Sequence, residues 1–175
     1  AYLERDPEVL IGGMGHAGLS TAARLNQIGI DTLVIDRQKR VGDNWRKRYH
    51  ALTLHNQVHT NHLPYMLFPP NWPKYIPKDK LGNWFEAYAE SMEINHWLET
   101  ELIQAKYDKA NSVWNVQVKQ SDERIRHINV KHIVMATGAS DVPNLPVIPG
   151  LDKFKGEVIH SSKYSNPGLW KDKRV

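Results

Sequence analysis

A glycine-spaced turn between two short apolar runs constrains this chain more than any other feature. Val9-Leu10-Ile11-Gly12 leads directly into Gly13-Met14-Gly15-His16-Ala17-Gly18, and a small-residue segment follows from about Ala17 to Gln27. A short apolar run closed by glycine reads as a strand buried on both faces. The small-residue segment reads as a helix, and Gly29 provides the residue that ends it. Thr32-Leu33-Val34-Ile35 is a second buried strand, ending at Asp36. Two buried strands joined by a helix lie parallel with a right-handed crossover, which predicts an α/β fold.

The spacing G-x-G-x-x-G assigns each glycine a task. Gly13 permits the tight turn, Gly15 lets the backbone approach a pyrophosphate, and Gly18 lets the helix pack closely on the strand. Free amide groups and the positive dipole at the helix N-terminus then face the phosphates. Asp36 is placed to accept hydrogen bonds from ribose hydroxyls, and its charge disfavours a 2′-phosphate, so NADP is not expected at this site. A glycine turn can also serve the backbone alone, and Asp36 can be a solvated strand end. The full succession of strand, turn, helix, strand and acid favours a Rossmann-type dinucleotide site. Spacing alone leaves FAD and NAD both open.

The rest of the chain reads as one domain of 175 residues, a size that hides roughly 70% of its unfolded surface. Residues 37–78 show no clear helix or strand and carry Pro64, Pro69, Pro70, Pro73 and Pro77. Long irregular stretches in compact domains are functional or disordered. The aromatic and apolar content here (Trp45, Tyr65, Met66, Phe68, Trp72, Tyr75) points to order. A helix is expected from about Lys80 to Met92, with Leu81, Trp84, Phe85, Tyr88, Ala89 and Met92 on its core face and Asp79 as N-cap. Strand-like runs at Glu101 to Tyr107, Val113 to Lys119 and Ile125 to Val130 predict a small antiparallel β-meander. His132 to Ala136 is a further buried strand, ending at Thr137-Gly138.

Composition excludes several classes. Hydrophobic residues make up 41% and charged residues 24%, the balance of a soluble globular protein. No apolar stretch is long enough for a membrane span, and the polar start is no signal peptide. That start lacks methionine, which suggests excision from something longer. Cysteine is absent, so disulfides, thiolate metal sites and a redox dithiol are excluded and a cytoplasmic location is expected. The net charge is +4, with Arg37, Lys39, Arg40, Arg46, Lys47 and Arg48 close together. A solvated loop is the first reading of that cluster and attraction of cofactor phosphates the second. Nucleic acid is not an expected partner, because the aromatics do not interleave with the basic residues. His50, His55, His59 and His62 suggest a metal site, but surrounding prolines argue against a shared helix face, and no metal is expected.

With these residues set out, the sequence resembles the flavin-containing monooxygenase family in its two-dinucleotide form. Four stretches carry the resemblance. They are Val9 to Gly18 with Asp36; Val41-Gly42-Asp43-Asn44-Trp45, similar to the family's G-G-x-W with Asp43 in place of the second glycine; Met135-Ala136-Thr137-Gly138; and Phe154 to Tyr164. The last fits F-x-G-x-x-x-H-x-x-x-Y through Phe154, Gly156, His160 and Tyr164. Tyr164 favours the N- and S-oxidising or auxin-pathway members, since Baeyer–Villiger relatives usually carry Trp there. The resemblance covers the chain from about Val9 to Tyr164.

The resemblance implies FAD at the first site. Gly13, Gly15, Gly18, Asp36, Arg37, Asn44, Trp45, Leu54, His55, Leu102, Thr137 and Gly138 are then the cofactor-binding residues, with His55 and Asn56 nearest to a catalytic position. It further implies NADPH as reductant, bound mostly outside this chain, and transfer of one oxygen atom from O₂ to a small organic substrate through a flavin hydroperoxide. His160 is expected to organise the path between the FAD and NADPH parts. The family's second glycine-rich turn is missing, and Lys171 to Val175 resembles the lead-in to its strand. The expected layout is a linker over 1–8, an FAD-binding domain over 9–138, and a connection over 139–175 toward a missing NADPH-binding domain. The rest of the same polypeptide is the implied partner. The competing reading is a flavin-binding module without turnover of its own.

Overall fold

Strand β1 (Val9–Gly12) is the centre of a parallel sheet. The computed structural model describes residue 2, residues 4–139 and residues 142–174. Helix α1 (His16–Gln27) carries the chain from β1 to β2 (Thr32–Ile35), and Gly29 follows its end with φ 77°. A four-residue helix α2 (Asp43–Arg46), a long irregular stretch and helix α3 (Lys78–Ser91) come next. Then follow the two-residue β3 (His96–Trp97), the antiparallel β4 (Glu101–Asp108), β5 (Val113–Lys119) and β6 (Ile125–Val130), and finally β7 (His132–Met135).

The parallel sheet has the order β3-β2-β1-β7. Gly12 pairs with Ile35 on one side and Met135 on the other, so three strands end together. The chain leaves β1 toward β2 and returns much later on the opposite side as β7. That reversal makes a crevice at the carboxyl ends of the strands, where ligands of open α/β sheets bind.

Alternating side chains, covered on both faces, explain why β1 and β2 are buried throughout, whereas β7, expected as a buried strand, lies at the sheet edge and is only half buried. Val9, Ile11 and Val34 face α1 and α3 and pack with Leu19, Phe85 and Tyr88. Leu10, Leu33 and Ile35 face the meander and pack with Val116, Val118, Ile128 and Val130. Burying each such side chain contributes about 1.5–3 kcal/mol.

Three expectations are corrected. α3 starts at Lys78, and its N-cap is Pro77 with no side-chain cap. Asp79 sits inside the first turn, where its carboxylate takes a hydrogen bond from Lys78 Nζ at 2.7 Å instead of capping. Residues 37–78 contain α2 and a 3-10 turn at Val58–Thr60. That stretch is packed: Leu63, Phe68 and Ile76 are buried, Phe68 stacks on Trp72 at 4.8 Å, and Tyr88 donates to the Pro64 carbonyl at 2.9 Å. Strand β3 was not foreseen, since two residues show no periodicity.

At the N-terminal end, Tyr2 is buried and its hydroxyl donates to the Thr32 carbonyl at 2.9 Å and to Asp31. Beyond β7, residues 142–174 contain 3-10 turns at Leu151–Lys153, Ser161–Lys163 and Pro167–Trp170. Among the described residues no helix is long and apolar enough to cross a membrane.

Candidate functional site

The glycine turn shows three different physical requirements. Gly13 has φ 104°, and a Cβ there would lie 2.4 Å from the Ala136 carbonyl oxygen, so the turn passes hard against the end of β7. A Cβ on Gly18 would lie 1.9 Å from the Gly13 carbonyl oxygen, which closes the first turn of α1 over the loop. Gly15 differs. It is the N-cap of α1 with φ −88°, and its nearest neighbour would be Asn44 Nδ2 at 3.2 Å. Gly13 and Gly18 build the turn, and Gly15 leaves space above it.

That space is the mouth of a cleft of about 440 Å³ lined by residues from the ends of β1, β2 and β7, from α2 and from the start of β4. The N-terminus of α1 has no side-chain cap and no acidic residue in its first turn. Helix N-terminal amides need partners, and here they face a cavity, an arrangement suited to an anion. Asp36 stands at the end of β2. Its Oδ2 accepts the Met14 amide at 2.7 Å and its Oδ1 accepts the Gln38 amide at 2.8 Å. The carboxylate therefore ties the glycine turn to β2 and keeps further lone pairs for hydroxyl donors.

Of the expected cofactor-binding residues, Gly13, Gly15, Asp36, Arg37, Asn44, Trp45, Leu102, Thr137 and Gly138 come together around the cleft. Gly18 lies buried beneath it. Leu54, His55 and Asn56 are not in the lining. Leu54 packs against the helical core and donates its amide to the Ile76 carbonyl at 2.9 Å, while His55 and Asn56 are exposed. Asp43 turns its carboxylate to Arg46 at 3.4 Å and Lys47 at 3.2 Å. Gly42, with φ 86°, makes the close approach at this loop, against Gly82 of α3.

The cleft also contains residues the sequence did not single out as its lining: His16, Gln38, Arg48, Thr100 and Glu101. Thr100 and Glu101 arrive because the Thr100 amide bonds to the Asp36 carbonyl at 2.9 Å. An irregularity in pairing between Leu102 and Gln104 accompanies the entry of Leu102, as bulges beside sites often do. No local signal announces Thr100 or Glu101. Burial holds the His16 imidazole below its ordinary range, and its ring stands edge-on to Phe85 at 5.6 Å.

The basic cluster is mostly exposed, as a solvated loop is, and its members Arg37 and Arg48 also reach the cleft lining. Arg40 pairs with Glu86 at 2.6 Å, Lys39 with Glu99 at 3.8 Å, and Lys47 with Asp43. The Arg40 guanidinium in turn holds the Glu86 carboxyl below the usual range. Arg48 lies over the Trp45 ring, 5.5 Å from its centre.

The family-motif residues sit outside the cleft lining. The Phe154 ring covers Gly156, where a Cβ would lie 2.5 Å from Cζ. His160 Nδ1 accepts the Ser162 amide at 3.2 Å and caps the turn at Ser161–Lys163. Tyr164 lies beside Tyr49 at 6.0 Å, and the His50 amide donates to the Ser165 carbonyl at 2.7 Å. Among the described residues no group of three His, Asp or Glu side chains is placed to hold a metal ion.

A parallel sheet with an uncapped, glycine-led helix N-terminus facing a crevice at its strand ends defines a dinucleotide-binding fold of Rossmann type. Comparison with known proteins narrows this. The chain matches the flavin-binding monooxygenase-like family over residues 7–175, and it belongs to that family. It is 34% identical over 170 residues to the probable indole-3-pyruvate monooxygenase YUCCA4 of Arabidopsis thaliana, covering 97% of this chain and 40% of that protein. The chain thus spans about two fifths of the length of the curated relatives it matches. Its fold resembles S-allyl-L-cysteine S-oxygenase from Allium sativum, with TM-score 0.84 and 20% identity over 94% of this chain and 44% of that one. It also resembles a bacillithiol disulfide reductase from Bacillus cereus, with TM-score 0.75 and 21% identity over 82% of this chain and 43% of that one.

Proposed function

We propose that this chain is the FAD-binding part of an NADPH-dependent flavin monooxygenase, which transfers one oxygen atom from O₂ to a small organic substrate. The uncapped N-terminus of α1, open above Gly15 and facing the cleft that Asp36 borders, carries the reading. The backbone at Gly13 and Gly15 with the first turn of α1 would hold the diphosphate. Asp36 would accept the ribose hydroxyls, with Arg37, Asn44, Trp45, Leu102, Thr137 and Gly138 lining the remainder. Bound FAD supplies hydride acceptance and oxygen activation, and the protein's part is to bind, orient and exclude water. Leu54, His55 and Asn56 are left out of this set because the cleft does not reach them.

Residues 9–138 form the cofactor-binding domain in this proposal, and 139–175 lead toward an NADPH-binding part of the same polypeptide. Freedom from cysteine supports a reducing compartment such as the cytoplasm. It also favours oxygen chemistry over disulfide reduction, which needs a thiol pair.

The test is an absorption spectrum of the purified chain after incubation with FAD. Flavin bands that travel with the protein, and FAD released on denaturation, are expected. A well-folded chain that stays colourless in excess FAD overturns the proposal. Turnover is tested in the complete protein by adding NADPH and following flavin bleaching, O₂ uptake and oxygenated product. Aromatic 2-oxo acids are the first substrates to try, given the relatives' printed name. Flavin that binds but does not bleach in the complete protein favours a binding module instead.

A further inference from the structure

Helix α2 brings Asn44 and Trp45 to the cleft, yet it has four residues and none of them is buried. A helix this short does not hold itself, because nucleation costs more than one turn returns. One strip of α3 holds it. Lys78, Gly82 and Glu86 recur every four residues and share one side of that helix.

Each member makes a distinct contact. Lys78 is buried at 5% exposure, and its Nζ donates to the Arg46 carbonyl, at the end of α2, at 2.7 Å. A cation at the last carbonyls of a helix satisfies both their hydrogen bonding and their dipole. Gly82 lets the two backbones meet: a Cβ there would lie 3.0 Å from the Gly42 carbonyl oxygen and 3.0 Å from Arg46 Cγ. Glu86 accepts from Arg46 Nη2 at 3.2 Å beside the neighbouring Asn83, whose Oδ1 accepts from the same nitrogen at 2.9 Å, while Arg46 Nη1 returns to the Val41 carbonyl at 2.6 Å. None of the three strip residues lines the cleft. The far side of α2 faces the glycine turn, where Asn44 Nδ2 would stand 3.2 Å from a Cβ on Gly15.

We propose that the Lys78–Gly82–Glu86 strip of α3 is a positioning device, which sets the gap between α2 and the glycine turn and so the fit of the cleft to a dinucleotide diphosphate. The inference rests on the FAD-binding reading above. Lys78, Gly82 and Glu86 act through α2 and do not themselves touch the cofactor.

The experiment measures FAD affinity by flavin fluorescence, and melting without FAD, for this chain and for Lys78→Met, Lys78→Arg and Gly82→Ala. Lys78→Met leaves the Arg46 carbonyl without its cation and is expected to weaken FAD about tenfold or more. Lys78→Arg keeps a charged donor and is expected to recover most of that loss. Gly82→Ala separates positioning from stability. Alanine favours a helix over glycine, so melting is not expected to fall appreciably, while the added methyl shifts α2 and weakens FAD about threefold or more. If Lys78→Met fails to fold, Gly82→Ala decides. FAD affinity within twofold of the parent in folded Gly82→Ala overturns the inference, as does affinity loss in any variant that only tracks lost melting temperature. A parent chain that refuses FAD overturns the cofactor reading itself, and this inference with it.

Discussion

Alanine at position 15 is expected to abolish most cofactor affinity while leaving the fold standing. Gly15 has φ −88° and ψ −163°, extended backbone that alanine adopts freely. Its added methyl would meet only Asn44 Nδ2, at 3.2 Å, the end of an exposed side chain. Stiffening the unfolded chain by Gly→Ala stabilises by about 0.4–1 kcal/mol. Alanine is a poorer N-cap than glycine, by an amount of about the same size. The two effects offset, so stability should stay within about 1 kcal/mol, or about 2–4 °C in melting temperature for a chain of this length. Binding responds differently. The methyl stands over the free amides of α1, and displacing an anion there forfeits charge-assisted hydrogen bonds of about 1.5–3 kcal/mol each. Loss of one such bond raises Kd about ten- to a hundredfold. Parent and variant are melted without FAD, then titrated with FAD by fluorescence. A variant that melts within about 4 °C of the parent and binds FAD within twofold of it refutes the placement of the diphosphate on this turn.

Gly18→Ala should do the opposite. Its methyl would lie 1.9 Å from a backbone carbonyl oxygen, and overpacking of that kind outweighs the helix gain. A melting temperature lower by about 5 °C or more without FAD is expected, following about 2 kcal/mol of lost stability. Saturating the parent with FAD at a hundred times its Kd should add about 2.7 kcal/mol and raise melting by about 5–10 °C; no shift counts against binding. His16 carries a pH dependence. Burial depresses its folded pKa, so the folded chain binds the proton less readily than the unfolded one, and stability is lost as pH falls below about 6.5. Replacing His16 by Asn should flatten the fall in melting temperature between pH 7.5 and 5.5, and an unchanged slope would contradict the argument.

Much of this architecture is written locally. Val9–Gly12 and Thr32–Ile35 are buried throughout because both sheet faces are covered. The meander strands are marked by turn residues such as Asp108 and Asn111, and α3 by its 3.6-residue apolar repeat. The glycine spacing, with Asp36, named the centre of the cleft. These signals depend on residues within one turn or one strand of each other, so a single sequence carries them.

The tertiary structure decided what meets across distance. Sequence alone did not place β7 beside β1, bring Thr100 and Glu101 to Asp36, or set α2 on a strip of α3 through a buried Lys78. It also did not show that the cleft stops short of Leu54 and His55. The periodicity of a segment reveals which of its faces is apolar, but not which partner covers it. That choice belongs to packing, where the close approach of Gly42 to Gly82 and the reach of Lys78 to the Arg46 carbonyl join segments more than thirty residues apart in the chain.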